Sequence, residues 1–225
     1  MSKDRVLIEL VTTSKDEDYS VRALVAVCLQ GIPGREAESA LIQMLHDEDK
    51  RVAGSAIIAF AKRKGRMIFG ILKSIYLDTT VEHSLREDAL EGLTGLSDKR
   101  ASHFLLERLN QEDNESLLIV VIFGVGHQKS EGGAQALLPF LVHENRKIVL
   151  QALKSIEDFD DIDSIPFLLE RFALEHEREY LRWYWAIFTR LKARQALPAM
   201  IEKLDEILTI NIDKLVTQLK FILEP

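Results

Sequence analysis

Apolar residues recur along this chain in two nested periods. Within each short run they fall three or four apart: Val21, Val25, Cys28 and Leu29, then Ala37, Leu41, Met44 and Leu45. That spacing lines one face of an α-helix. The runs themselves also recur. A helical pattern opens at Val21, Val52, Leu85, Leu117, Ile148 and Leu181, with spacings of 31, 33, 32, 31 and 33 residues. A fixed period of this size marks one supersecondary unit copied and stacked. Each unit reads as helix, turn, helix, and strand-like alternating runs are few.

Polar punctuation sets the unit boundaries. Asp16-Glu17-Asp18 and Asp47-Glu48-Asp49 supply acidic residues and caps at helix starts. Gly31-Ile32-Pro33-Gly34 ends a helix, with glycine suited to the left-handed position beyond a C-cap. Leu138-Pro139, Ile165-Pro166 and Leu197-Pro198 each predict the start of a second helix, where proline's missing N–H is not needed. Ala56, Ala89 and Ala152 recur four places into the first helices and allow close helix approach. The ends differ from the middle. Residues 1–15 predict one N-terminal capping helix, 16–205 about six repeats, and 206–225 a closing helix over 211–223. Together they predict a single all-α repeat domain, 1–225, with no linker or low-complexity tract.

The chain is 47% hydrophobic and 29% charged, an ordinary profile for a water-soluble core. One cysteine, Cys28, leaves no intrachain disulfide, and its place in an apolar run predicts a buried, inert thiol. No stretch approaches the length of a membrane span, and the N-terminus lacks the pattern of a signal peptide. The expectation is a cytoplasmic protein without a membrane. A net charge of −7 weighs against broad nucleic-acid binding. The charge is polarised, however: residues 47–76 carry seven Lys/Arg and three Asp/Glu, while 143–180 carry five and ten. Such a gradient can steer a polarised partner.

Asp18-Tyr19-Ser20-Val21-Arg22, Ser84-Leu85-Arg86 and Tyr180-Leu181-Arg182 resemble the Asp-x-x-Val-Arg opening of short HEAT-like repeats, the kind seen in the phycobilisome lyase family. The resemblance covers roughly residues 16–205. It implies a right-handed α–α superhelix, a HEAT-like solenoid, with a protein partner bound along its concave surface. It also implies that the acidic residue and the arginine link neighbouring repeats. Ala53, Leu118 and Val149 replace the arginine in three units, so a charged ladder should be interrupted.

Three enzyme families share this repeat type. Deoxyhypusine hydroxylase holds di-iron with His-Glu dipeptides inside first helices. Here His143-Glu144 and His176-Glu177 fall at unit junctions, and the helical positions read Ala23-Leu24, Gly54-Ser55 and Glu87-Asp88. Alkylpurine DNA glycosylases use a basic face with aromatics, but Glu170, Glu175, Glu177 and Glu179 precede Trp183 and Trp185. A bilin-lyase-like or other enzyme subunit stays as the alternative function, because repeats alone carry none of that chemistry.

Local motifs add little catalysis. His176-Glu177-x-x-Tyr180 lacks the second histidine of a zinc motif. Gly124-Val125-Gly126 and Gly132-Gly133 predict a flexible insertion around an enlarged turn. The carboxylates from Glu157 to Asp163 lack the glycine and distal glutamate of a calcium loop. The basic run Lys62-Arg63-Lys64-Gly65-Arg66 complements a helix C-terminus or contacts an acidic partner. In the aromatic run 180–188, Leu181, Tyr184, Trp185 and Phe188 share a core face, and Trp183 points elsewhere. The reading is therefore a non-catalytic scaffold or adaptor with no catalytic residues, cofactor or metal. Its partner class is protein, and not a small molecule. The candidate contact residues are Arg66, Lys73, Arg100, His103, Glu107, Glu170, Trp183 and Lys203.

Overall fold

The computed structural model describes residues 3–63, 65, 67–203 and 221–222. Among them the regular structure is helical, in two compact units, residues 1–104 and 105–225. The first unit holds α1 (Lys3–Thr13), α2 (Tyr19–Leu29), α3 (Arg35–Met44), α4 (Lys50–Ala61), α5 (Ile68–Leu77), α6 (His83–Thr94) and the start of α7 (Lys99–Arg108). The second holds α8 (Glu115–His127), α9 (Gly133–Leu137), α10 (Arg146–Glu157), α11 (Ile165–Leu174), α12 (Arg178–Arg190) and α13 (Leu197–Glu202). The expected closing helix lies almost wholly outside the described residues. No described helix is long and apolar enough to cross a membrane.

In the first unit α2, α4 and α6 stack side by side, and α3 and α5 lean on the first helix of the following repeat. In the second unit α8, α10 and α12 make the equivalent row. Buried stripes explain the stacking: Val52, Ala56 and Phe60 of α4, Leu117, Val121 and Val125 of α8, and Ile148, Ala152 and Ile156 of α10 face the core. Caps fix the starts. Asp18, Asp49, Asn114 and Asn145 each accept a backbone N–H from the first turn of α2, α4, α8 and α10.

A second device recurs at the repeat junctions, in four cases two residues before these caps. Asp16, Asp47 and Asp78 accept the N–H groups of Asp18, Asp49 and Thr80, each at 2.9 Å. Glu112, His143 and Glu175 do the same for Asn114 (3.1 Å), Asn145 (3.0 Å) and Glu177 (3.0 Å). Each bond satisfies a junction amide that water would otherwise have to serve.

Three expectations are corrected. Cys28 is exposed, not buried. Leu138-Pro139 does not begin a helix: α9 starts earlier, and residues Leu138–Val142 continue as 3₁₀ turns. Proline cannot donate to the carbonyl four residues back, so the α pattern stops there. Gly126 lies inside α8, and Gly133 packs so close to Phe159 that a Cβ would sit 2.7 Å from its ring. The turn between them is tight, with Ser130 buried and Gly132 at φ 72°.

Candidate interaction surface

The second helices place part of the expected contact set together. In α5, Ile68, Leu72 and Tyr76 turn inward, which leaves Phe69 and Lys73 at the surface margin. At the start of α7, Asp98 accepts the Arg100 N–H at 2.9 Å and pairs with its guanidinium at 2.7 Å. That holds the Arg100 guanidinium 4.9 Å from the Phe69 ring centroid. Lys73 Nζ lies 4.7 Å from the Phe104 centroid and 5.8 Å from that of Phe69. Phe104 meets Phe69 and Tyr76 edge-on, at 6.1 and 5.8 Å between centroids. Cations over ring faces are favourable by about 0.5–1 kcal/mol at exposed sites. His103 is exposed beside Phe104 in sequence, and Glu107 is exposed one turn further along α7.

The rings were absent from the sequence-based contact set. Their signal is Phe69 four before Lys73 and Arg100 four before Phe104, a spacing that brings side chains together on a helix.

Glu170 is exposed on α11. Trp183 is half-buried on α12, a first helix, with Lys154 Nζ 5.7 Å from its ring. Lys203 is buried, and its ammonium donates to the Glu175 carbonyl, so its role as an exposed contact is corrected. Arg66 and Lys64 lie outside the described residues. Arg63 of the same basic run is committed to structure: it donates to the Leu29 and Ile32 carbonyls at 2.7 and 2.6 Å, closing the turn after α2. His143 is likewise a junction acceptor, through Nδ1. Among the described residues no three His, Cys, Asp or Glu side chains are placed to hold a metal ion.

A cleft of about 570 Å³ lies between the C-terminal ends of α4 and α6. It is lined by Ile58, Lys62, Asp88 and Glu91. Burial raises the pKa of Asp88 and Glu91, and neighbouring carboxylates add to it.

A family model described as HEAT repeats matches residues 5–94. No curated protein matches the chain. Among solved structures, a designed armadillo repeat protein is similar at 15% identity and a TM-score of 0.49, covering 82% of this chain and 99% of that one. An engineered protein is similar at 14% identity and 0.47, covering 83% and 96%.

Proposed function

We propose that this chain, whose residues 5–94 match HEAT repeats, is a non-catalytic interaction module that docks an acidic segment of a protein partner on its second-helix face. The observation that supports this is the set of two cations, Lys73 and Arg100, held over Phe69 and Phe104 on adjacent second helices. Repeat folds commonly serve binding. Aromatic and arginine side chains dominate the energetic centres of protein interfaces. The surrounding 47–76 segment is net basic, so an acidic partner would be steered to it. We treat the array 1–225 as one repeat domain working in the cytoplasm. Nothing on the described surface favours the lyase-like alternative.

The test uses the tagged full chain to recover a stoichiometric partner from cell extract, followed by binding kinetics. Lys73→Glu with Arg100→Glu should slow association by at least about tenfold while far-UV circular dichroism stays unchanged, since surface charge acts mainly on encounter rate. Unchanged kinetics would reject the α5–α7 face. A bound tetrapyrrole absorbance in place of a protein would favour the lyase-like alternative.

A further inference from the structure

First helices of neighbouring repeats meet at fixed positions. Counted on from the apolar residue that opens each helix, these are the third and the seventh. In α6, opened by Leu85, the third is Asp88, and a Cβ on Gly54 of α4 would stand 2.9 Å from its Oδ2. The seventh is Gly92, where a Cβ would stand 2.8 Å from the Ala61 Cβ of α4. In α10, opened by Ile148, the seventh is Ser155, whose Cβ would lie 2.5 Å from a Cβ on Gly126 of α8. The seventh position is accordingly buried at Ala59 of α4, Ser155 of α10 and Phe188 of α12.

α2 breaks this pattern. Opened by Val21, it carries Leu24 and Cys28 at these two positions. Leu24 is 63% exposed, and Cys28 is exposed with it. Val27, beside them, is 55% exposed. With Ser20 they form one exposed stripe, because residues three and four apart share a helix face. α3 and α4 pack on the buried side of α2, which holds Val25, Ala26 and Leu29. α1 leans on α2 and α3 without covering the stripe. None of Val6, Leu7, Leu10 and Val11 of α1 is fully buried, and Ile8 is 65% exposed. Among the described residues the stacking face of α2 therefore lies open.

We propose that this stripe pairs with the same stripe of a second copy of the chain, α2 against α2 about a two-fold axis. Its positions are those that seat a first helix elsewhere in the chain, so the occupant that fits is a first helix of the same repeat type. A second copy supplies one and continues the row of α6, α4 and α2. Repeat arrays need end units with a polar outer face to stay apart in solution, and α2 presents an apolar one. Ser20, Leu24, Val27 and Cys28 carry no charge, so two copies bring no like charges together at the contact. An acidic or basic partner would find no answering charge on this stripe. A two-fold contact uses one patch twice and closes at two copies. The net charge of −7 on each copy opposes association at long range, so added salt strengthens the pairing. The contact is independent of the α5–α7 reading, since it uses another helix and none of its cations.

The experiment is sedimentation equilibrium of the full chain under reducing conditions, from about 1 to about 500 μM protein. The average mass should rise from 25.6 kDa toward twice that value and no further. Raising sodium chloride from about 0.1 to about 0.5 M should hold or strengthen the association. Leu24→Glu buries a charge in the contact and should weaken it by at least about tenfold. Leu174→Glu replaces an equally exposed leucine of α11, 62% exposed, and should leave it unchanged. Cys28 gives a readout without any substitution: its rate constant with maleimide should fall severalfold from the dilute monomer to about 500 μM protein. The pairing is rejected by a mass that stays at 25.6 kDa throughout, by species larger than a dimer, or by equal effects of Leu24→Glu and Leu174→Glu. A Cys28 rate constant that does not change with protein concentration rejects it as well.

Discussion

Arg22 shows how a single residue joins two repeats. Its Nε and Nη2 donate to the two oxygens of Asp47, both at 2.8 Å, and Nη1 reaches the Asp16 and Glu17 carbonyls. The guanidinium holds the Asp47 pKa below its ordinary value of 3.8. A depressed carboxylate stabilises the fold above its unfolded pKa, and that stability is lost as pH falls through the folded pKa. The difference in urea midpoint between the wild type and Asp47→Asn should therefore be constant from about pH 5 to 8 and shrink below about pH 4. A gap that stayed constant down to pH 2 would show that the ion pair is not its source. Arg22 also explains the misplacement of Cys28. The apolar spacing predicts a stripe of Val21, Val25, Cys28 and Leu29, but α2 buries Arg22, Val25, Ala26 and Leu29. A buried arginine does not register as apolar, so the pattern points to Val21 and Cys28 where the helix turns Arg22 and Ala26 inward. In the native protein, maleimide should label Cys28 within about tenfold of the rate in denaturant, since accessibility no longer limits it. Labelling that required unfolding would contradict the exposed placement.

At the scale of elements, the legible features were those with strong periodicity and strong punctuation. The capped starts of α2 and α4 and the proline-marked starts of α11 and α13 could be read directly. The end of α8 could not, because Leu117 to Val125 is apolar almost all round and glycine suggested a stop. The structure gives Gly126 a packing role instead. A Cβ there would stand 2.5 Å from Ser155 Cβ and 2.8 Å from Ser155 Cα on α10. The Ser155 hydroxyl meanwhile donates to the Ile122 carbonyl at 3.1 Å, tying the two helices at their closest approach. Gly126→Ala gains helix propensity of up to about 1 kcal/mol. Forcing α8 from the α10 backbone costs about 1–3 kcal/mol, and the contact with Cα cannot be relieved by a side-chain rotation. The net change should be destabilising in urea denaturation, and Ser155→Gly should recover part of it in the double variant. A more stable Gly126→Ala would mean that α8 and α10 do not approach this closely.

For the whole molecule, the repeat period was legible because six copies of one pattern reinforce each other, whereas the contact residues were legible only in part. Lys73 and Arg100 were found because exposed cations on second helices are visible in a helical register. Phe69 and Phe104 were not, because their significance lies in the cations that the fold lays over their rings. Lys203 is buried where the sequence predicts exposure, because a lysine can bury its stem and deliver its ammonium to a carbonyl. The same commitment of cations bears on nucleic acid. Duplex binding requires several Lys or Arg side chains free to replace counterions on phosphates. Here Arg22, Arg51, Arg108, Arg146 and Arg190 are each paired with a carboxylate of their own neighbourhood, and Arg63 is occupied by backbone carbonyls. The net charge of −7 adds a general repulsion. A fluorescein-labelled random duplex of about 20 base pairs at physiological salt should therefore bind no more tightly than about 100 μM, the weak end of non-specific association. Anisotropy measured across a salt series provides the check. Sub-micromolar binding that falls steeply with salt would move the proposed partner from an acidic protein segment to a nucleic acid.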